Sequence, residues 1–143
     1  MLEISDGALA LAKKNASLNG VSDRLSFFEA DVLCDIDAFD GKAFDAILSN
    51  PPYIRTDVID TLSDEVKKEP RIALDGGDDG LLFYRTILEK HTRFLKKNGF
   101  ILFEIGYDQG EEISALANES GFTCEIIKDL SGCNRVAFLK KSI

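Results

Sequence analysis

Asn50-Pro51-Pro52-Tyr53 is the stretch of this sequence whose residue types are best suited to chemistry. Two consecutive prolines lock φ and remove two backbone donors. A strand entering the segment must therefore stop, and the carbonyls between must face something other than a sheet neighbour. The result is a rigid cluster of acceptors. The Asn50 side-chain oxygen and the Pro51 carbonyl can both accept hydrogen bonds from an NH2 group, while the Tyr53 ring can pack beside a planar amide or base. Such an arrangement selects a planar nitrogen substrate. The plainer alternative is a Pro-Pro loop that only ends a strand, with Asn50 as a turn residue. That account suits an isolated Pro-Pro better than Asn-Pro-Pro-Tyr directly after an apolar run.

These residues need elements to hold them. Ser5 is a good helix N-cap, and Ala8, Leu9, Leu11, Ala12, Ala16 and Leu18 form an apolar face ending at Asn19-Gly20. This predicts a helix over about 6–19. Leu25–Ala30 and Phe44–Ser49 read as short strands, with Asp31 and Asn50 at their carboxyl ends. From Pro51 to Asp79 the periodicity weakens, which predicts a long loop with one short helix around Thr56–Lys68. Loops of that length usually carry function.

After Gly80, residues Leu81, Tyr84, Leu88 and Leu95 fall on one helical stripe that Asn98-Gly99 should end, before the apolar strand Phe100–Ile105. A helix over Asp108–Ser120 is stopped by Gly121. Two strands follow, Phe122–Lys128 and Val136–Lys140, joined by the turn at 129–134. Helix and strand alternate until these last two strands, so the expected fold class is α/β, an open sheet ending in an antiparallel hairpin. Ligands of such sheets sit at the carboxyl ends of the strands, where Glu3, Asp31, Asn50 and Glu104 are expected.

A chain of 143 residues with 45% hydrophobic content has length for one domain with a real core. Its net charge of −8 disfavours a broad phosphate-binding surface, and the Lys doublets at 13–14, 67–68, 96–97 and 140–141 are scattered rather than striped. No direct nucleic-acid binding is expected. Cys34, Cys124 and Cys133 lack metal-ligand spacing and His91 is the single histidine, so no metal site is expected. The sequence has no apolar run of membrane-spanning length and no leader pattern, so no membrane association and a reducing, cytoplasmic location are expected.

The tetrapeptide at 50–53 resembles the signature of class I methyltransferases that act on exocyclic or amide nitrogens. Glu3-Ile-Ser-x-x-Ala-Leu-x-x-Ala-x-x-Asn15 resembles the segment of that family in which an acidic residue ends the second strand. Glu69-Pro-Arg-Ile-Ala-Leu-Asp-Gly-Gly-Asp-Asp-Gly-Leu81 is the most discriminating stretch. It resembles the Glu-Pro-x-x-Ala-Leu-x-Gly-Gly-x-Asp-Gly-Leu segment of release-factor glutamine methyltransferases. Phe103-Glu-Ile-Gly106-x-x-Gln109-Gly110 and Asp129-Leu-x-Gly-Cys-Asn-Arg135-Val136 are similar to the same family's later strand and final hairpin.

The resemblance implies a Rossmann-like sheet and S-adenosyl-L-methionine as cofactor. It implies methyl transfer to the glutamine side-chain amide in the Gly-Gly-Gln motif of class I peptide chain release factors. Glu3 would then bind the cofactor ribose, unless it is an ordinary surface carboxylate. Asp31 would approach the adenine amino group and Val32 would pack on the ring, where many relatives carry an aromatic. Asn50, Pro51 and Tyr53 would be catalytic, with Asn50 also near the cofactor, and Asn50, Pro51, Pro52 and Tyr53 would hold the substrate amide. Arg135 reads as structural, and the resemblance leaves the role of Glu104 open.

The family's first strand ends in a glycine-rich loop that should precede Glu3, and an amino-terminal helical domain should precede that. Neither is in this sequence. Residues 1–143 are therefore expected to be a partial catalytic domain, truncated before the first strand and inactive alone. Because that strand lies centrally in the family's sheet, its absence would expose two sheet edges open to self-association. Two other readings remain: a nucleic-acid adenine N6-methyltransferase, and a non-catalytic remnant.

Overall fold

In a computed structural model of the chain, described over residues 1–34 and 36–142, Ser5 opens the first helix as its residue type predicts. Its Oγ accepts the Ala8 N–H at 3.3 Å, and α1 runs Asp6–Leu18 before Asn19 and Gly20 end it. Ahead of it lies β1, Leu2–Glu3. This strand pairs in parallel with β2, Phe28–Glu29, with Leu2 opposite Phe28 and Glu3 opposite Glu29. The strand expected over 25–30 is thus shorter. Leu25 is drawn into a turn, its N–H donating to the Ser22 carbonyl at 3.3 Å.

The chain divides into two units, Met1–Gly41 and Lys42–Ile143. The first holds the β1–β2 pair and α1. The second is built on a four-stranded sheet ordered β3-β4-β6-β5, with β3 Phe44–Ser49, β4 Leu95–Glu104, β5 Phe122–Lys128 and β6 Asn134–Lys141. β3 and β4 are parallel, and β6 is antiparallel to both β4 and β5. The α/β class and the closing hairpin match the sequence reading. The strands form two hydrogen-bonded sheets, one in each unit.

Alternation along β4 sends Ile101 and Phe103 to one face, and both are fully buried along with Ile105 beyond the strand end. Ala137 and Leu139 of β6 are buried too, as are Ile113 and Ala117 on α3, Gly110–Glu119, which packs on β5 and β6. Tyr84 belongs to α2, Leu82–Thr86. Its ring meets Phe103 edge-on at 5.1 Å, a favourable aromatic geometry.

Two expectations from sequence fail here. The helical stripe after Gly80 does not run to Asn98. The α-helix ends at Thr86, widens to a π-turn over Ile87–His91, tightens through Thr92–Phe94, and β4 begins at Leu95. Leu95 pairs with Phe44, and the register then shifts so that Ala46 meets Phe100. Asn98-Gly99 therefore lies within an irregular stretch of strand, where Lys96 Nζ pairs with the Asp45 carboxylate at 2.8 Å. Nor does a single helix cover 56–68. Separate 3-10 turns form at Thr56–Thr61, Val66–Lys68 and Arg71–Ala73, interrupted where Leu62 turns extended.

Candidate functional site

β3 delivers Asn50 at its carboxyl end. Asn50 is exposed, Pro51 is buried, and Pro52 and Tyr53 are half-buried. The Pro51 and Pro52 rings fix φ directly after the exposed Asn50, so the turn that follows it is stiff. Glu104 ends the neighbouring strand β4, whose Phe103 is in register with Ser49.

The chain beyond Tyr53 lies against the 74–80 loop. Ile54 N–H donates to the Leu74 carbonyl at 3.0 Å, Gly76 N–H to the Ile54 carbonyl at 2.8 Å, and Thr56 N–H to the Gly77 carbonyl at 3.0 Å. The approach is too close for side chains. A Cβ on Gly76 would stand 2.7 Å from Tyr53 Cα and 2.9 Å from the Pro52 carbonyl oxygen, and one on Gly80 would stand 2.5 Å from the Tyr53 carbonyl oxygen. Gly80 also has φ +74°, which disfavours any side chain.

Two carboxylates shape this loop. Asp75 Oδ1 accepts from Thr56 Oγ1 at 2.6 Å and from Gly77 N–H at 3.1 Å. The Thr56 hydroxyl, then the Gly77 amide, hold its pKa below the usual carboxylate range. For Asp79, burial pushes the pKa up, but the Leu81 N–H and the Arg85 guanidinium outweigh it and the net shift is downward. The Asp79–Leu81 contact, 3.0 Å, leads into α2. Within α2, burial raises the Tyr84 phenol well above its ordinary value, and its hydroxyl donates to the Glu104 carbonyl at 2.8 Å.

Gln109, just ahead of α3, reaches into the same place. Its Nε2 donates to the Tyr53 carbonyl at 3.2 Å and to the Gly80 carbonyl at 3.1 Å, while its Oε1 accepts the Gly106 N–H at 2.9 Å. Sequence reasoning gave Gln109, Gly76 and Gly80 no role in the site. The glycines were visible only as part of a glycine-rich stretch, and nothing local to Gln109 signals a partner 56 positions away.

In the first unit, Glu3 ends β1 and Asp31 lies just past the end of the neighbouring β2, where Ala30 N–H donates to the Glu3 carbonyl at 3.1 Å. Glu3 Oε1 accepts the Ser5 N–H at 2.9 Å, and Asp31 Oδ1 accepts the Leu33 N–H at 2.8 Å. Both carboxylates and Val32 are half-buried. Such acceptor-only groups at paired strand ends suit hydroxyl or amino groups of a ligand. Glu3, Asp31 and Val32 thus form one group, and Asn50, Pro51, Pro52 and Tyr53 another, each within its own unit.

Arg135 bonds Asp129 Oδ2 through Nε at 3.3 Å and the Ile105 carbonyl through Nη1 at 3.4 Å, which ties the final hairpin turn to the end of β4. Among the described residues no cluster of His, Cys, Asp or Glu could hold a metal ion. No helix among them is long and apolar enough to cross a membrane.

Comparison with known proteins adds a family. A family model described as methyltransferase small domain matches residues 1–83. A release factor glutamine methyltransferase of Clostridium botulinum is 44% identical over 141 residues, covering 97% of this chain and 50% of that protein. A protein of the same name from Aquifex aeolicus is 40% identical over 139 residues, covering 97% and 48%. The chain thus spans about half the length of these curated relatives. Among solved structures, a methyltransferase from Pyrococcus furiosus has a TM-score of 0.66 at 19% identity, covering 99% of this chain and 61% of that one. A protein-(glutamine-N5) methyltransferase from Alicyclobacillus acidocaldarius has a TM-score of 0.53 at 23% identity, covering 99% and 78%. At these identities the structural likeness speaks for the fold.

Proposed function

The chain belongs to the methyltransferase small domain family, and from that premise we propose that it is part of an S-adenosyl-L-methionine-dependent enzyme that methylates glutamine. The acceptor is the side-chain amide nitrogen in the Gly-Gly-Gln motif of class I peptide chain release factors, which puts the reaction in the cytoplasm. The carrying observation is the exposed Asn50 carboxamide on a proline-locked strand end, its loop clamped by the 74–80 segment. The relatives named for this activity match along almost all of the chain, which supports the choice of acceptor.

An amide nitrogen is a poor nucleophile because its lone pair is delocalised into the carbonyl. Asn50 Oδ1 and the Pro51 carbonyl take its two N–H groups and orient the nitrogen toward the methyl carbon, which spares the entropy of alignment. Tyr53 flanks the planar amide. Bound S-adenosyl-L-methionine supplies an electrophilic methyl on a sulfonium sulfur. The residues at the β1 and β2 ends fit that cofactor by donor set. Glu3 has carboxylate oxygens for ribose hydroxyls, Asp31 has them for the adenine amino group, and Val32 offers an apolar surface for the ring. The net charge of −8 favours a protein loop over a nucleic acid as acceptor.

The test is calorimetric titration with S-adenosyl-L-methionine and its demethylated product, with labelled-methyl transfer to a release factor, to its Gly-Gly-Ala variant and to adenine-containing DNA. In the longer enzyme of which this chain is proposed to be part, transfer to the glutamine form alone is expected, whereas residues 1–143 by themselves should transfer none. In that full-length enzyme, Asn50→Ala should lower transfer by at least about a hundredfold, on the scale of losing one oriented transition-state hydrogen bond, while cofactor affinity changes far less. Retained turnover in that variant, or methyl on adenine, rejects the reading. An intact fold that binds no cofactor makes the chain a non-catalytic subunit or remnant.

A further inference from the structure

We propose that Gln109 is the positioning residue of the Asn50–Tyr53 loop, a clasp that sets where its acceptors point. One carboxamide joins three chain segments. Its NH2 holds the Tyr53 carbonyl at 3.2 Å and the Gly80 carbonyl at 3.1 Å, and its oxygen holds the Gly106 N–H at 2.9 Å. The three bonds also fix which end of the amide is nitrogen, because two partners are acceptors and one is a donor. Gln109 occupies the N-cap position of α3, yet its side chain makes no capping bond there. It gives up the usual role of that position to reach the loop.

The consequence for Asn50 follows along the chain. Pro51 and Pro52 have fixed φ, so the freedom left in the loop lies mainly at Tyr53 and in the ψ angles before it. The Tyr53 carbonyl is held by Gln109, and the next peptide N–H, of Ile54, is held by the Leu74 carbonyl at 3.0 Å. With both ends of that peptide unit tied, the proline segment is suspended between β3 and the clasp. Glycine at 80 leaves room for the Gln109 amide, since a Cβ there would stand 2.9 Å from Nε2. The role in methyl transfer rests on the function proposed above, whereas the clasp is a property of the loop.

Hydrogen exchange on the 143-residue chain tests the clasp without reference to catalysis. Gln109→Leu should lower protection of the Ile54 and Gly76 amides about tenfold, the equivalent of one net hydrogen bond, with Ile101 and Leu139 in the sheet unchanged. Gln109→Glu keeps the acceptor for Gly106 but turns a carboxylate on two carbonyls. Protection at Ile54 and Gly76 should therefore be low near pH 8 and recover in part near pH 5, where the protonated acid can donate to one of the two carbonyls. Wild-type exchange, corrected for intrinsic rates, should show no such recovery.

In methyl transfer by the full-length enzyme, Gln109→Leu should lower kcat while KM for the cofactor holds, and Gln109→Glu should regain kcat at the acidic end. Unchanged loop protection in Gln109→Leu, or an equal loss over the whole sheet, overturns the clasp. Exchange results as expected with no methyl transfer by the wild-type full-length enzyme leave the clasp standing and remove the catalytic reading instead.

Discussion

Gly76 is placed where a single methyl group has nowhere to go, with backbone atoms of Tyr53 and Pro52 inside 3 Å of the position a Cβ would take. Backbone yields less readily than a flexible side-chain end, so Gly76→Ala must push the 74–77 segment off the Asn50–Tyr53 loop. The expected cost is about 1–3 kcal/mol, the usual range for overpacking, and urea unfolding would measure it. A stability within error of wild type would mean the two loops do not lie this close. Asn50, Pro51, Pro52 and Tyr53 could be picked from sequence because proline restricts the chain by itself, whatever surrounds it. Gln109 could not, because a glutamine has no local conformational signature and its three partners come from three separate segments.

At the scale of elements, the loop after β3 is organised by a carboxylate rather than by a helix. Asp75 ties the 54–56 and 75–77 stretches together through the Thr56 hydroxyl and the Gly77 amide. Its folded pKa lies below the unfolded one. The stabilisation is therefore complete above the unfolded value and is lost as pH falls through the lowered folded value. Thermal melts should weaken below about pH 4, and Asp75→Ala should remove Asp75's share of that acid sensitivity. At neutral pH the same variant should cost about 1–2 kcal/mol, whereas Asp75→Asn, which keeps an acceptor oxygen at Oδ1, should cost less. Equal losses in the two variants would rule out Oδ1 as the organising atom. The short helix expected over 56–68 gives way to 3-10 turns, and apolar spacing there could not signal it because only Ile59 of the Thr56–Thr61 turn is buried. The stripe from Leu81 to Leu95 misled for a different reason. Leu95 is buried in either a helix or a strand, and pairing with Phe44 decides in favour of the strand.

For the whole molecule, the two units differ in how much apolar surface each buries. Leu9, Ala16 and Ile36 are the buried apolar residues described in Met1–Gly41, while the second unit buries the β4 and β6 faces, α3 and Tyr84. Local opening follows buried contact, so the amides of α1 should exchange at lower free energy than those of Ile101 to Phe103 and Ala137 to Leu139. Identical opening free energies would make the chain one cooperative unit. The proline-locked turn after β3, the Ser5 cap, the apolar run of β4 and the closing hairpin are legible in the residues alone, because each depends on residue-intrinsic geometry or on periodicity within one segment. The Gln109 hydrogen bonds, the glycine-to-backbone contact at Tyr53 and the strand start at Leu95 came from the fold. Those depend on which distant segments meet, and close contacts between residues far apart in sequence leave no period for a one-dimensional reading to find.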